Sequence, residues 1–125
     1  MEIARVLRSI FMAVLLVAAG CLTACGDAGQ QDKTALEAAS RTLSPADGDL
    51  AAVYDRSCRS CHTIAATAAP LTGDTAAWAE RLDKGMNTLV DNVINGFGGM
   101  PPFGMCMDCD PAQFEALIHF MAEGK

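Results

Sequence analysis

Cys58-Arg59-Ser60-Cys61-His62 is the stretch from which the rest of the chain is read. It has the form C-x-x-C-H, the attachment pattern of a c-type haem. Two thiols three positions apart on one turn can form thioethers to the two vinyl groups of a single porphyrin, which sets the imidazole of His62 beneath the iron. Anchor and axial ligand then come from one turn of backbone. The competing readings are half of a zinc site or a thioredoxin-like redox pair, and a second pair, Cys106 and Cys109, keeps them open. A dithiol enzyme would want a strand-helix-strand setting, and zinc pairs usually lie closer together. Nothing strand-like flanks the motif, so haem is the favoured reading.

Helical patterns surround it. Upstream, Ser44 can cap a helix with Pro45 in its first turn, and Leu50, Val53 and Tyr54 follow at helical spacing into Cys58, with Gly48 weakening the start. Downstream, Thr63 to Leu71 has no clear period and reads as a loop against the porphyrin, with Pro70 as a fixed corner. Asp74 can cap a helix carrying Trp78 and Leu82 on one face and ending at Gly85. Met86, Leu89, Val90, Val93 and Ile94 describe an amphipathic helix ending at Gly96. Asp110, Pro111 and Gln113 open a last helix with the buried stripe Phe114, Leu117, Ile118 and Met121. The expected fold is all-α, about four short helices packed around one covalently bound haem, over residues 44–125.

The N-terminal part has another character. Arg5 and Arg8 precede ten apolar residues, Ile10 to Ala19, and then small residues, the form of an export signal over 1–24 that is too short to span a bilayer unaided. Leu22-Thr23-Ala24-Cys25 resembles the cleavage box of bacterial lipoproteins, which implies a lipid on Cys25; Ala18-Ala19-Gly20-Cys21 is a poorer match, and plain cleavage or an uncleaved membrane anchor are the alternatives. Residues 25–43 are polar and alanine-rich and read as a flexible, lipid-anchored tether. The expected location is therefore outside the cytoplasm, on the periplasmic face of a bacterial membrane. Without residues 1–24 the chain has 7 basic and 14 acidic groups, net −7, which argues against nucleic acid and suits a partner protein with a basic patch.

A sixth ligand for the iron is sought among the methionines, because a His/Met pair raises the reduction potential of a haem. Met86 and Met121 fall on buried helix faces and read as core. Met100 stands in Gly98-Gly99-Met100-Pro101-Pro102, where proline drives it out of helical backbone and the glycines let the chain pass close to a flat ligand. Met105 is second. His119 lies one position off the buried stripe and reads as a surface residue.

Together these features resemble the class I c-type cytochromes, specifically the cytochrome c5 group. The resemblance covers about residues 46–123. It rests on the haem motif, on Pro70 with Thr72-Gly73-Asp74, on Ala77-Trp78 and Arg81, and on Gly85-Met86. It continues through Ile94-Asn95-Gly96-Phe97, Gly99-Met100-Pro101-Pro102 and Cys106-Met107-Asp108-Cys109. It implies covalent haem on Cys58 and Cys61, iron ligation by His62 and Met100, and a Cys106–Cys109 disulfide. It further implies that the Pro70 carbonyl accepts the Nδ1 proton of His62 and that Trp78 belongs to the haem-binding set. Ala65 and Ala68 stand where that group has glycines, and Leu50 where it has a small residue.

The function that follows is electron carriage with iron cycling between Fe(III) and Fe(II), and no catalysis. Donors and acceptors would be redox proteins: a quinol-oxidising complex or dehydrogenase, and an oxidase or reductase. The rivals are a haem subunit of a redox enzyme or a ligand-binding haem sensor with an open sixth site, and a structural zinc module.

Overall fold

The computed structural model describes residues 28–125. The export signal expected over 1–24 and the lipid site expected at Cys25 lie outside the described residues. Six helices follow one another: α1 (Ala28–Ser40), α2 (Gly48–Ser57), the single turn α3 (Arg59–His62), α4 (Thr75–Leu82), α5 (Met86–Asn95) and α6 (Pro111–Glu123). Among the described residues there is no strand, only an antiparallel bridge between Phe97 and Met100. No described helix is long and apolar enough to cross a membrane. The all-α expectation holds, and α2, α4, α5 and α6 are the four helices read from periodicity.

The helix ends follow from local chemistry. In α2 the cap is Asp47 rather than Ser44: its carboxylate accepts the Leu50 N–H at 2.8 Å, and the helix starts directly after it at Gly48. Asp74 does the same for α4, accepting the Ala77 N–H at 3.0 Å. Asp110 and Gln113 form a reciprocal capping box with Pro111 in the first turn of α6, and Gly124 closes that helix in left-handed backbone at φ 72°.

The stretch read as a flexible tether, 25–43, contains α1, and its C-terminal end is built into the domain. Ser40 is fully buried and Leu43 packs against the core. The composition of α1 favours a helix, with alanine, glutamine, lysine, leucine and glutamate. The Glu37–Arg41 pair at 2.6 Å adds an i,i+4 contact. Besides Leu43, its attachment to the domain comes from polar contacts with Ala65 and Arg59, which leave no periodic trace in the sequence.

The core sits between α6 and the helices it crosses. Helix α6 packs against α2, α4 and α5 and buries Phe114, Leu117, Ile118, Phe120, Met121 and Ala122. Burial of each large apolar side chain among these contributes about 1.5–3 kcal/mol. Tyr54 of α2 is wholly buried with its ring edge-on to Phe120, centroids 4.9 Å apart. Its hydroxyl meets the hydroxyl of Thr72, also wholly buried, at 2.8 Å. That pair joins α2 to the loop beneath His62, and the Thr72 N–H closes the same loop by donating to the His62 carbonyl at 2.8 Å.

Candidate haem-binding site

Of the C-x-x-C-H residues, Cys58 is the break between α2 and α3, and Arg59–His62 form α3 itself. Cys58 ends α2, its N–H bonded to the Tyr54 carbonyl, and its own carbonyl accepts the His62 N–H at 3.0 Å. The backbone thus makes one tight turn between the two thiols and the imidazole. Cys58 is half-buried, Cys61 is exposed, and neither is in a disulfide. Burial pushes the Cys58 thiol up to about 11, so at neutral pH it is a protonated thiol.

His62 is buried. Its Nδ1 lies 2.8 Å from the carbonyl oxygen of Pro70, an N–H donor to a fixed acceptor, which leaves Nε2 as the nitrogen available to a metal. Burial lowers the affinity of the ring for a second proton, the Pro70 bond opposes this, and the Arg81 charge adds to the lowering. The neutral imidazole that results is the form that ligates a metal. Trp78 lies alongside at 5.9 Å between centroids with the rings 28° apart, and its indole N–H donates to the Leu71 carbonyl at 2.9 Å. Two carbonyls of one short loop, those of Pro70 and Leu71, therefore hold the imidazole and the indole side by side.

On the methionine side, α5 ends at Gly96 and the chain turns tightly. Phe97 and Met100 exchange N–H···O=C bonds of 3.1 and 3.0 Å. Met100 is half-buried, followed by extended Pro101 and a 3₁₀ turn, Pro102–Met105. Phe103, Gly104 and Met105 are left-handed in succession, at φ 59°, 54° and 69°. The Phe103 ring is directed at Phe114 of α6, centroids 6.3 Å apart. Met105 and Met107 are largely exposed, Met121 is core, and Met86 is half-buried against the core. His119 is exposed between Glu115 and Glu123.

Cys106 and Cys109 are joined in a disulfide directly before α6. The Arg56 guanidinium of α2 grips this loop, donating to both carboxylate oxygens of Asp108 at 2.9 and 2.8 Å and to Sγ of Cys106 at 3.2 Å. The contact spans 52 positions and was not legible in the sequence. Nor was the Tyr54–Thr72 pair, which is 18 positions apart.

These residues fit a c-type haem. Two thiols that are not in a disulfide and a neutral imidazole with one nitrogen committed share a turn, and the buried Trp78 ring lies beside that imidazole.

Comparison with known proteins agrees with this site. Residues 45–121 match the family model described as cytochrome c oxidase, cbb3-type, subunit III. The chain is 38% identical over 72 residues to cytochrome c5 of Ectopseudomonas mendocina, covering 56% of this chain and 83% of that protein. It is 52% identical over 74 residues to cytochrome c-555 of Chlorobaculum tepidum, covering 56% of this chain and 68% of that protein. Among solved structures it resembles a chain in the crystal structure of an electron transfer complex of nitrite reductase with cytochrome c. That match has a TM-score of 0.53 and 34% identity, and it covers 62% of this chain and 95% of the other.

Proposed function

Since this chain belongs to the class I c-type cytochromes, in their cytochrome c5 group, with one haem c bound through Cys58 and Cys61, we propose that it is a membrane-tethered electron carrier. Electron transfer by a c-type cytochrome, between redox protein partners, is the common ground of the matched relatives. The finer reading adds a mono-haem, non-catalytic carrier on the periplasmic face of a bacterial membrane. It is held there by a lipid on Cys25, and its iron is ligated by His62 and Met100.

When bound, the haem supplies the one-electron Fe(III)/Fe(II) couple. The chain's own residues hold that couple still. Pro70 fixes the imidazole through Nδ1, the Trp78 ring lies along that flank, and the Phe97–Met100 turn presents the thioether from stiff backbone. The observation that carries the proposal is the His62–Pro70 bond in a buried setting, because it holds a neutral imidazole in one orientation through either oxidation state. Electron exchange with a quinol-oxidising complex or dehydrogenase and with an oxidase or reductase would require no proton or group transfer. The nitrite reductase complex of the structural relative is one example of such a pairing.

The ferric spectrum is the test. A weak band at the red edge of the visible range reports sulfur on iron and should vanish in Met100→Ala while the haem stays covalently attached. A parent protein that is high-spin would instead support the rival, an enzyme subunit or sensor with an open sixth site. Release of Cys25→Ser protein from membranes tests the anchor separately.

A further inference from the structure

The matched family region begins at residue 45, yet the chain just before it is built onto the haem-attachment turn. Glu37 of α1 reaches across 28 positions, where its Oε2 accepts the Ala65 N–H at 2.8 Å. Ala65 opens the 3₁₀ turn Ala65–Thr67, whose own capping residue, Ile64, offers no side-chain acceptor. The first N–H of such a turn has no partner within it, so Glu37 acts as its cap from outside. Arg59, inside the C-x-x-C-H motif, holds the same segment by its carbonyls. It donates to Arg41 at 2.8 Å and Leu43 at 2.8 Å, while its Nε is fixed by Asp55 at 2.6 Å and its guanidinium lies 5.1 Å from the Tyr54 ring centroid.

What this segment holds is the short arc from His62 to Pro70. The arc contains a strained position: Ala68 is left-handed at φ 60°, a conformation disfavoured for a residue bearing a Cβ. Beyond Ala68 the arc ends at the Pro70 carbonyl that accepts the His62 Nδ1 proton. An uncapped 3₁₀ turn next to a strained alanine would relax, and the carbonyl would move with it.

We propose that Glu37–Leu43 is a positioning strap for the haem ligand: Glu37 and Arg59 clamp it onto the attachment turn, and through the Ala65–Pro70 arc it sets the strength of the His62–Pro70 hydrogen bond. A strong bond at Nδ1 makes the imidazole a better donor and favours Fe(III), so loosening the strap raises the reduction potential. Glu37 is a positioning residue, its carboxylate bonded to the Ala65 N–H and to Arg41. Its charge is offset by Arg41 at 2.6 Å, which leaves the hydrogen bond to Ala65 as its main influence on the arc.

The test compares Glu37→Ala with Glu37→Gln in the haem-loaded full-length protein, since Gln keeps an acceptor for Ala65 and loses only the charge. Two readouts are taken: the reduction potential by redox titration, and solvent exchange of the His62 Nδ1 proton, followed by NMR in the diamagnetic ferrous protein. Glu37→Ala should raise the potential and accelerate exchange, and Glu37→Gln should return both toward the parent. Arg59→Lys, which loses the paired donors to Arg41 and Leu43, should act in the direction of Glu37→Ala. Adding Ala68→Gly, which relieves the strain, should shrink the Glu37→Ala effect. The proposal is overturned if Glu37→Ala leaves both readouts at the parent values. It is equally overturned if Glu37→Gln shifts them as far as Glu37→Ala does, because the charge and not the cap would then be acting.

Discussion

Gly96→Ala is the sharpest available perturbation of the methionine side. Gly96 caps α5 at φ 82°, ψ 152°, a region that residues with a Cβ scarcely visit, and occupying it costs of the order of 1–3 kcal/mol. Space is also lacking. An added Cβ would stand 3.0 Å from the Met100 carbonyl oxygen, 3.1 Å from the Pro102 nitrogen and 3.2 Å from its Cδ, so backbone on the far side of the turn must give by a few tenths of an ångström. The atoms in the way belong to the residue proposed to ligate iron and to Pro102, two positions on. The substitution should therefore weaken the thioether bond as well as the fold. In a domain of this size each kcal/mol lowers the melting temperature by about 4–8 °C. Two controls separate the effects. Gly98 has a positive φ of 59° but open space, so Gly98→Ala carries backbone strain alone; Gly99 has neither constraint, and Gly99→Ala should match the parent. Thermal melts of the ferric protein, with alkaline titration of the red-edge band, make the comparison. A Gly96→Ala protein that melts with Gly98→Ala and keeps its band to the same pH would refute the reasoning.

Ser57→Ala should raise stability by about 1 kcal/mol in denaturant melts, because the Ser57 hydroxyl is buried without a hydrogen-bond partner and alanine is the better helix former. Tyr54→Phe should cost about 1–3 kcal/mol by stranding the buried Thr72 hydroxyl, and adding Thr72→Val should recover most of that loss in a double-mutant cycle. The Arg56 guanidinium holds the Asp108 carboxyl below the usual range. Its contribution is present above the ordinary aspartate pKa of about 3.9 and fades as pH falls through the lower folded value, so acid melts of Asp108→Asn should lose that part of the pH dependence. Replacing Cys106 and Cys109 by serine should remove ~2 kcal/mol or less, since the closed ring is small, while keeping haem attached and making the methionine band easier to abolish with heat or alkali.

The sequence alone determined whatever depends on neighbours a few positions away. C-x-x-C-H is a property of one turn, and the stripe from Phe114 to Met121 and the Asp110–Gln113 box are properties of one helix. Each could be read because the interacting groups are held together by helical geometry whatever surrounds them. Tertiary structure decided the rest. Nothing near Glu37 marks it as the cap of a turn at Ala65, nothing near Arg56 predicts Asp108, and Tyr54 finds Thr72 only because the chain returns beneath His62. The helix α1 inside the stretch read as a tether was hidden for the same reason: its end is held by donors and acceptors supplied by Arg59 and Ala65 together with the packing of Leu43 on the core. Hydrogen bonds between distant backbone and side-chain groups impose no period on either segment, so they become legible only when the fold brings the two together.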